Sequence, residues 1–201
     1  MFNRNRSLKP RGSSPSERKA QVRKESYVKV GVVTLALLFL ATPIASAVLI
    51  TEIMYDLPGA DKGLEWIEVH NPCNDSINLT GWMLYEQGTK HRLQLVQGDM
   101  TLWPLGCAII VDKPEKWLEA HKNYTGTVID SAFSLKNKAG EYIAIINRSL
   151  DIQHNVSYTS ELGANGNGLT LLLNATSDLL YEGSVMGGTP GVVDGMAPPD
   201  A

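Results

Sequence analysis

The sequence predicts an all-β protein: one β-sandwich with a single short surface helix, preceded by a signal peptide or an N-terminal membrane anchor. Three observations carry this. From residue 48 onward, short runs of β-branched and aromatic residues recur, each bounded by Gly, Pro, Asn or Asp, the signature of strands and turns. Only one stretch interrupts them with helical spacing. The charge also divides in two: residues 1–47 carry nine Lys/Arg against two Glu, a balance of +7, and residues 48–201 carry nine Lys/Arg against nineteen Asp/Glu, a balance of −10.

The basic residues of 1–29 are interleaved with Ser, Pro and Gly and predict a disordered arm. Residues 30–47 are uncharged and apolar and end in Ala45-Ser46-Ala47. A basic arm, a short apolar run and a small-residue site make a secretory signal, with cleavage after Ala47. The rival is an uncleaved anchor, but a bilayer needs about 20 apolar residues and this stretch supplies eighteen, Pro43 among them. In both cases the arm stays in the cytoplasm and the remainder lies outside, secreted or at the cell surface. A −10 domain lacks the basic face that nucleic acid requires, so no nucleic-acid partner is expected.

The sandwich is expected over 48–191, with 192–201 as a flexible tail. Its first strands are 48–55 (VLITEIMY) and 64–71 (LEWIEVHN), where Glu52 and Glu68 alternate with apolar residues as solvent-facing positions should. A strand over 77–85 contains Gly81, which predicts a bulge or a close backbone approach. Strand 91–96 follows, then the turn Trp103-Pro104-Leu105-Gly106 and the apolar strand 107–111. The helix is placed at 114–122, with Asp112 as N-cap, Pro114 in the first turn and Trp117 and Leu118 packed on the sandwich. Strands 127–129, 133–135, 141–147, 152–158 and 169–173 complete the sheets. The loop 163–168 (GANGNG) is rich in residues that tolerate positive φ.

Ile50-Thr51-Glu52-Ile53, then Glu65-Trp66-Ile67-Glu68-Val69-His70-Asn71, then Leu79-Thr80-Gly81-Trp82 together resemble the lamin tail domain, an immunoglobulin-like module. The spacing Ser134-Leu135-x-Asn137-x-x-Gly140-Glu141-x-Ile143 and the closing Gly188-Thr189-Pro190-Gly191 are similar to exported, prokaryotic-type members. Those members usually place a Trp-containing segment before the Gly-Thr-Pro-Gly; Tyr181-Glu182-Gly183-Ser184 stands here instead, which predicts a short last strand. The resemblance implies an immunoglobulin-like sandwich and no single chemistry.

The two cysteines, Cys73 and Cys107, are a candidate disulfide that would close a loop of about 34 residues and stabilise by about 3 to 4 kcal/mol. Six Asn-X-Ser/Thr sequons lie beyond residue 47: Asn74, Asn78, Asn123, Asn147, Asn155 and Asn174. Ten Asn and 18 Ser/Thr among these 154 residues predict about one by chance, so the excess points to N-glycosylation. Asn78 and Asn155 sit within expected strands and are the weakest acceptors.

Asp56, Asp61 and Glu65 are oxygen donors of the kind Ca²⁺ takes, but their spacing fits no EF-hand. Glu65 and Glu68 are a carboxylate pair for a small hydrolase; at i and i+3 of one strand, however, they point to opposite faces. His70, His91, His121 and His154 lack metal-ligand spacing, and Ser184 has no nearby base. No catalytic residue, cofactor or metal site is therefore expected. The sequence reads as an exported, glycosylated structural or adhesive module that binds a protein or a cell-surface polymer through loops 57–63 and 163–168, rigid scaffolds placing such residues at loop ends.

Overall fold

The computed structural model describes residues 48–59 and 61–193; the expected arm, signal segment and tail beyond 193 lie outside them. Among the described residues no helix is long and apolar enough to cross a membrane. Thirteen strands form: β1 (Leu49–Met54), β2 (Trp66–His70), β3 (Ile77–Asn78), β4 (Met83–Glu86), β5 (Thr89–Arg92), β6 (Gln94–Gln97), β7 (Thr101–Leu102), β8 (Cys107–Val111), β9 (Thr127–Asp130), β10 (Glu141–Ile146), β11 (Ile152–Tyr158), β12 (Leu171–Asn174) and β13 (Leu179–Glu182). Among the described residues one helix, α1 (Pro114–Ala120), and a 3-10 turn at Ser160–Leu162 join them.

The strands build an immunoglobulin-like sandwich of a seven-stranded sheet, in the order β13-β12-β1-β2-β8-β9-β6, and a four-stranded sheet, β11-β10-β4-β5; β3 and β7 form a separate ladder. Strand alternation explains which side chains meet. Ile53, Ile67, Ile110 and Ile129 stand in register across β1, β2, β8 and β9 and face inward. They pack with Leu84, Ile143, Ile145 and Val156 of the small sheet in one buried core, each large side chain contributing about 1.5–3 kcal/mol by its burial. The opposite parity makes a second cluster of Met54, Trp66, Ile109, Val111 and Val128 on the outer face, covered by Trp117.

That cover follows from connectivity. β8 and β9 are the one parallel pair among the described strands, and parallel neighbours need a crossover, which here is α1. Trp117 and Leu118 pack where expected. Asp112 does not cap the helix: Lys113 holds the N-cap position with no side-chain capping bond, and Asp112 instead pairs with the Lys113 ammonium at 3.1 Å. Pro114 is the first helical residue, where its missing N–H is not needed. The helix ends at Ala120, and His121 stacks on Trp117 with ring centroids 4.0 Å apart.

Three expected strands are altered. The run 77–85 is split into β3 and β4 by a turn in which the Trp82 amide donates to the Leu79 carbonyl at 3.0 Å and Gly81 takes φ +80. Gly81 is thus a turn residue and not a bulge, and a Cβ there would stand 3.3 Å from the Arg148 side chain. The run 91–96 is split at the buried Leu93, where the chain leaves the small sheet as β5 and enters the large one as β6. Residues 133–135 form no strand: the Ser134 amide is taken by Glu86 and the Leu135 amide by Glu65. β13 is short, as the Tyr181-Glu182 departure predicts, with only Leu180 buried.

Candidate functional site

Glu52 and Glu68 are direct cross-strand partners on β1 and β2. Their parity is the expected outward one, yet they are 1% and 0% exposed, which corrects the solvent-facing assignment. The cover is the segment 187–191. Glu52 accepts hydrogen bonds from the Thr170 hydroxyl at 2.5 Å, the Thr189 amide at 3.0 Å and the Thr189 hydroxyl at 3.0 Å. Glu68 accepts from the Thr51 hydroxyl at 2.7 Å, the Gly191 amide at 2.8 Å and the Cys107 thiol. The Gly-Thr-Pro-Gly strap is therefore laid across the outer face of the large sheet and fastened to two carboxyl groups. Burial first, and then the neighbouring Glu52, push Glu68 up to about 7 against the pull of its donors. Burial and Glu68 together push the Cys107 thiol up to about 12.

A second clasp lies between the sheets. Three consecutive amides are caught by three glutamates from different parts of the chain: Ser134 donates to Glu86 at 3.2 Å, Leu135 to Glu65, and Lys136 to Glu141 at 2.9 Å. Glu86 and Glu141 lie close enough for each to feel the other's charge. The Tyr158 hydroxyl donates to Glu141 at 3.2 Å. Burial and then Asp61 push Glu65 up to about 8; burial likewise raises Glu86 and Glu141. Backbone amides need partners wherever water is excluded, and here carboxyl groups supply what a sheet would.

Asn71, missed as a functional position, organises a third junction. Its buried side-chain amide donates to the carbonyls of Asp75, Leu102 and Trp103 at 2.8–3.1 Å, and its oxygen accepts from the Cys73 amide at 2.9 Å. The Asn at the end of the Glu-Trp-Ile-Glu-Val-x-Asn pattern ties loop 71–76 to the turn before β8. Its signal was its place as a polar residue ending an apolar strand.

The candidate ligand residues separate. Asp56 and Asp61 come together, but the Asn137 amide donates to both, at 2.8 and 2.7 Å. Glu65 turns inward to Leu135, and Glu68 outward to the strap, so the two do not converge. Among the described residues no group of three or more His, Cys, Asp or Glu is placed to hold a metal ion. His154 fills the irregularity in β1: its Nδ1 accepts from the Ile50 amide at 3.1 Å and its Nε2 lies 3.0 Å from Asp178. His70 is buried, and that burial lowers its pKa against the opposing influence of the Gly106 backbone.

Cys73 and Cys107 are free thiols in the structure, both half-buried, with Cys107 beside Glu68. Of the sequon asparagines, Asn74, Asn78, Asn123, Asn155 and Asn174 are exposed and Asn147 is half-buried. Loops 57–63 and 163–168 do meet at one end of the sandwich: a Cβ on Gly168 would stand 3.6 Å from Pro58, and one on Gly166 3.6 Å from Asp56.

No curated protein and no solved structure matches the chain. A family model does: Lamin Tail Domain, over residues 42–179. That span contains the Ile-Thr-Glu-Ile, Glu-Trp-Ile-Glu-Val-x-Asn and Leu-Thr-Gly-Trp runs, whose roles are now visible as strap dock, loop tie and turn. With a match over more than half its length and the immunoglobulin-like sandwich in place, the chain belongs to the lamin tail domain family.

Proposed function

We propose that this protein is an exported, N-glycosylated structural or adhesive binding module of the cell surface, without catalysis. The observation that supports it best is how its buried acidic groups are used. Glu52, Glu65, Glu68, Glu86 and Glu141 each hold a backbone amide of a strap or inter-strand segment, so the groups with the most perturbed chemistry are engaged in holding the chain together. What faces outward is a rigid sandwich, a pair of adjoining loops and six sequons. The N-terminal segment would direct export and be cleaved after Ala47, and the binding partner is a protein or polymer met outside the cell.

Intact mass of the protein from its native host tests the first half: a chain starting at Val48 with added hexose mass is expected, and an unmodified chain starting at Met1 would overturn both export processing and glycosylation. Alanine substitution across loops 57–63 and 163–168 tests the second; cell-surface association left unchanged would remove those loops as the contact.

A further inference from the structure

The outer face of the four-stranded sheet carries no covering element among the described residues. Alternation places Asn155, Ala144, Tyr85 and Lys90 in one row across β11, β10, β4 and β5. Tyr142 lies beside that row, its ring edge-on to Tyr85 at 5.8 Å. Leu150 and Ile152, each 53% exposed, close one side. Tyr85, Lys90, Tyr142, Ile146, Leu150 and Ile152 line an open groove of about 440 Å³. Lys90 also lines a neighbouring polar cleft of about 350 Å³ that contains Arg92, Lys113, Asp112, Asp130 and the buried Ser131 hydroxyl, which has no partner among the described residues; Asp112 there pairs with Lys113 at 3.1 Å. Neither Lys90 nor Arg92 has an ion-pair partner among the described residues, although the domain as a whole carries −10.

We propose that this face binds a carboxylated polysaccharide, with Tyr85 and Tyr142 stacking against sugar rings and Lys90 and Arg92 taking the carboxylates. This deepens the adhesive reading and rests on it, since it names the polymer. Lys90, which lines the aromatic groove, and Arg92 beside it offer cations to an acidic ligand, while Asp112 of the adjoining cleft is taken by Lys113. A saccharide fits better than a peptide. Extended peptides gain affinity by pairing with a free strand edge, whereas this groove lies over β4 and β10, interior strands whose backbone is already paired on both sides. Ring faces and side-chain charges are what it has to offer, from Tyr85, Tyr142 and Lys90.

The test is titration of the full chain with oligogalacturonate, with dextran as the uncharged control and poly-glutamate as the acidic peptide. Oligogalacturonate is expected to bind, more weakly as salt is raised, while dextran and poly-glutamate do not. Tyr142→Ala and Lys90→Glu should each weaken binding by roughly tenfold. Tyr142→Phe should retain it, and alanine substitution of loop 163–168 should leave it unchanged. Both weakening variants change outward side chains, and unaltered urea midpoints will show that they fold. Absent binding, equal binding of dextran or poly-glutamate, or binding indifferent to Tyr142→Ala and Lys90→Glu would overturn the proposal. Binding that appears only in Asn155→Gln would also overturn it, because the chain's own glycan would then be the occupant. Should the protein adhere to cells yet ignore oligogalacturonate, this proposal fails and the adhesive reading stands; should it adhere to nothing, both fail.

Discussion

Thr189 reaches Glu52 across 137 residues of chain, and both its amide and its hydroxyl lie 3.0 Å from that carboxylate. This pairing makes the strap part of the fold. Glu52→Ala removes the acceptor for Thr189 and Thr170 at once and leaves donors under cover, so a loss of about 3 kcal/mol is expected. Urea unfolding measures it, and hydrogen exchange at the Thr189 and Gly191 amides locates it. A loss below about 1 kcal/mol with both amides still protected would show that the strap is held by something else.

Neighbouring glycines separate backbone strain from steric exclusion. Gly187 and Gly188 have φ +82 and +75, but a Cβ on Gly187 meets nothing within 4 Å, whereas one on Gly188 would stand 2.6 Å from Glu52, 2.7 Å from Thr170 and 2.8 Å from Trp66. Gly187→Ala should cost about 1–2 kcal/mol for the left-handed backbone alone. Gly188→Ala adds displacement of the strap and should cost clearly more. Equal urea midpoints for the two variants would contradict the close docking of Gly188.

These residues also show what could be read from sequence. Glu52 and Glu68 were assigned the correct face, because parity is local. Their burial was not legible, because it depends on a tail more than 120 residues away in the chain folding back over them; the Gly-Thr-Pro-Gly pattern was visible, but not its dock. The same holds for 133–135. Its apolar alternation is that of a strand, yet Glu86 and Glu65 intercept the Ser134 and Leu135 amides before another strand can. Leu93 hid a change of sheet inside an unbroken apolar run. The core rows, the helix and the turns came through because alternation, Pro and Gly act over a few residues.

Trp117 is fully buried over the outer cluster, while its indole N–H has no partner among the described residues. Trp117→Ala should cost about 3–5 kcal/mol through lost contacts and the cavity left behind. Trp117→Phe keeps most of the volume and removes an unsatisfied donor, so a cost below about 1.5 kcal/mol is expected. Thermal or urea unfolding distinguishes these outcomes; a Phe variant as unstable as the Ala variant would mean that the indole N–H matters after all.

The pH dependence should run opposite to that of a protein stabilised by ionised carboxylates. Glu65 and Glu68 have folded-state pKa values raised to about 8 and about 7 from an ordinary 4.5, in both cases chiefly by burial. The folded state therefore binds more protons than the unfolded chain through this window, and stability falls as pH rises. Their contribution is fully present below about pH 4.5 and is lost as pH climbs through 7 and 8. Glu182 works the other way, its pKa lowered by the Ala164 amide and then by Asn167, so its help is lost as pH falls below the ordinary carboxylate range. The melting temperature is expected to be higher at pH 5.5 than at pH 8.5, by several degrees. Glu65→Gln keeps an acceptor for the Leu135 amide but cannot ionise, so it should flatten the decline. A melting temperature that rises from pH 5.5 to 8.5, or a decline unchanged in Glu65→Gln, would show that these carboxyl groups are ionised in the fold at neutral pH and are not protonated as their burial requires.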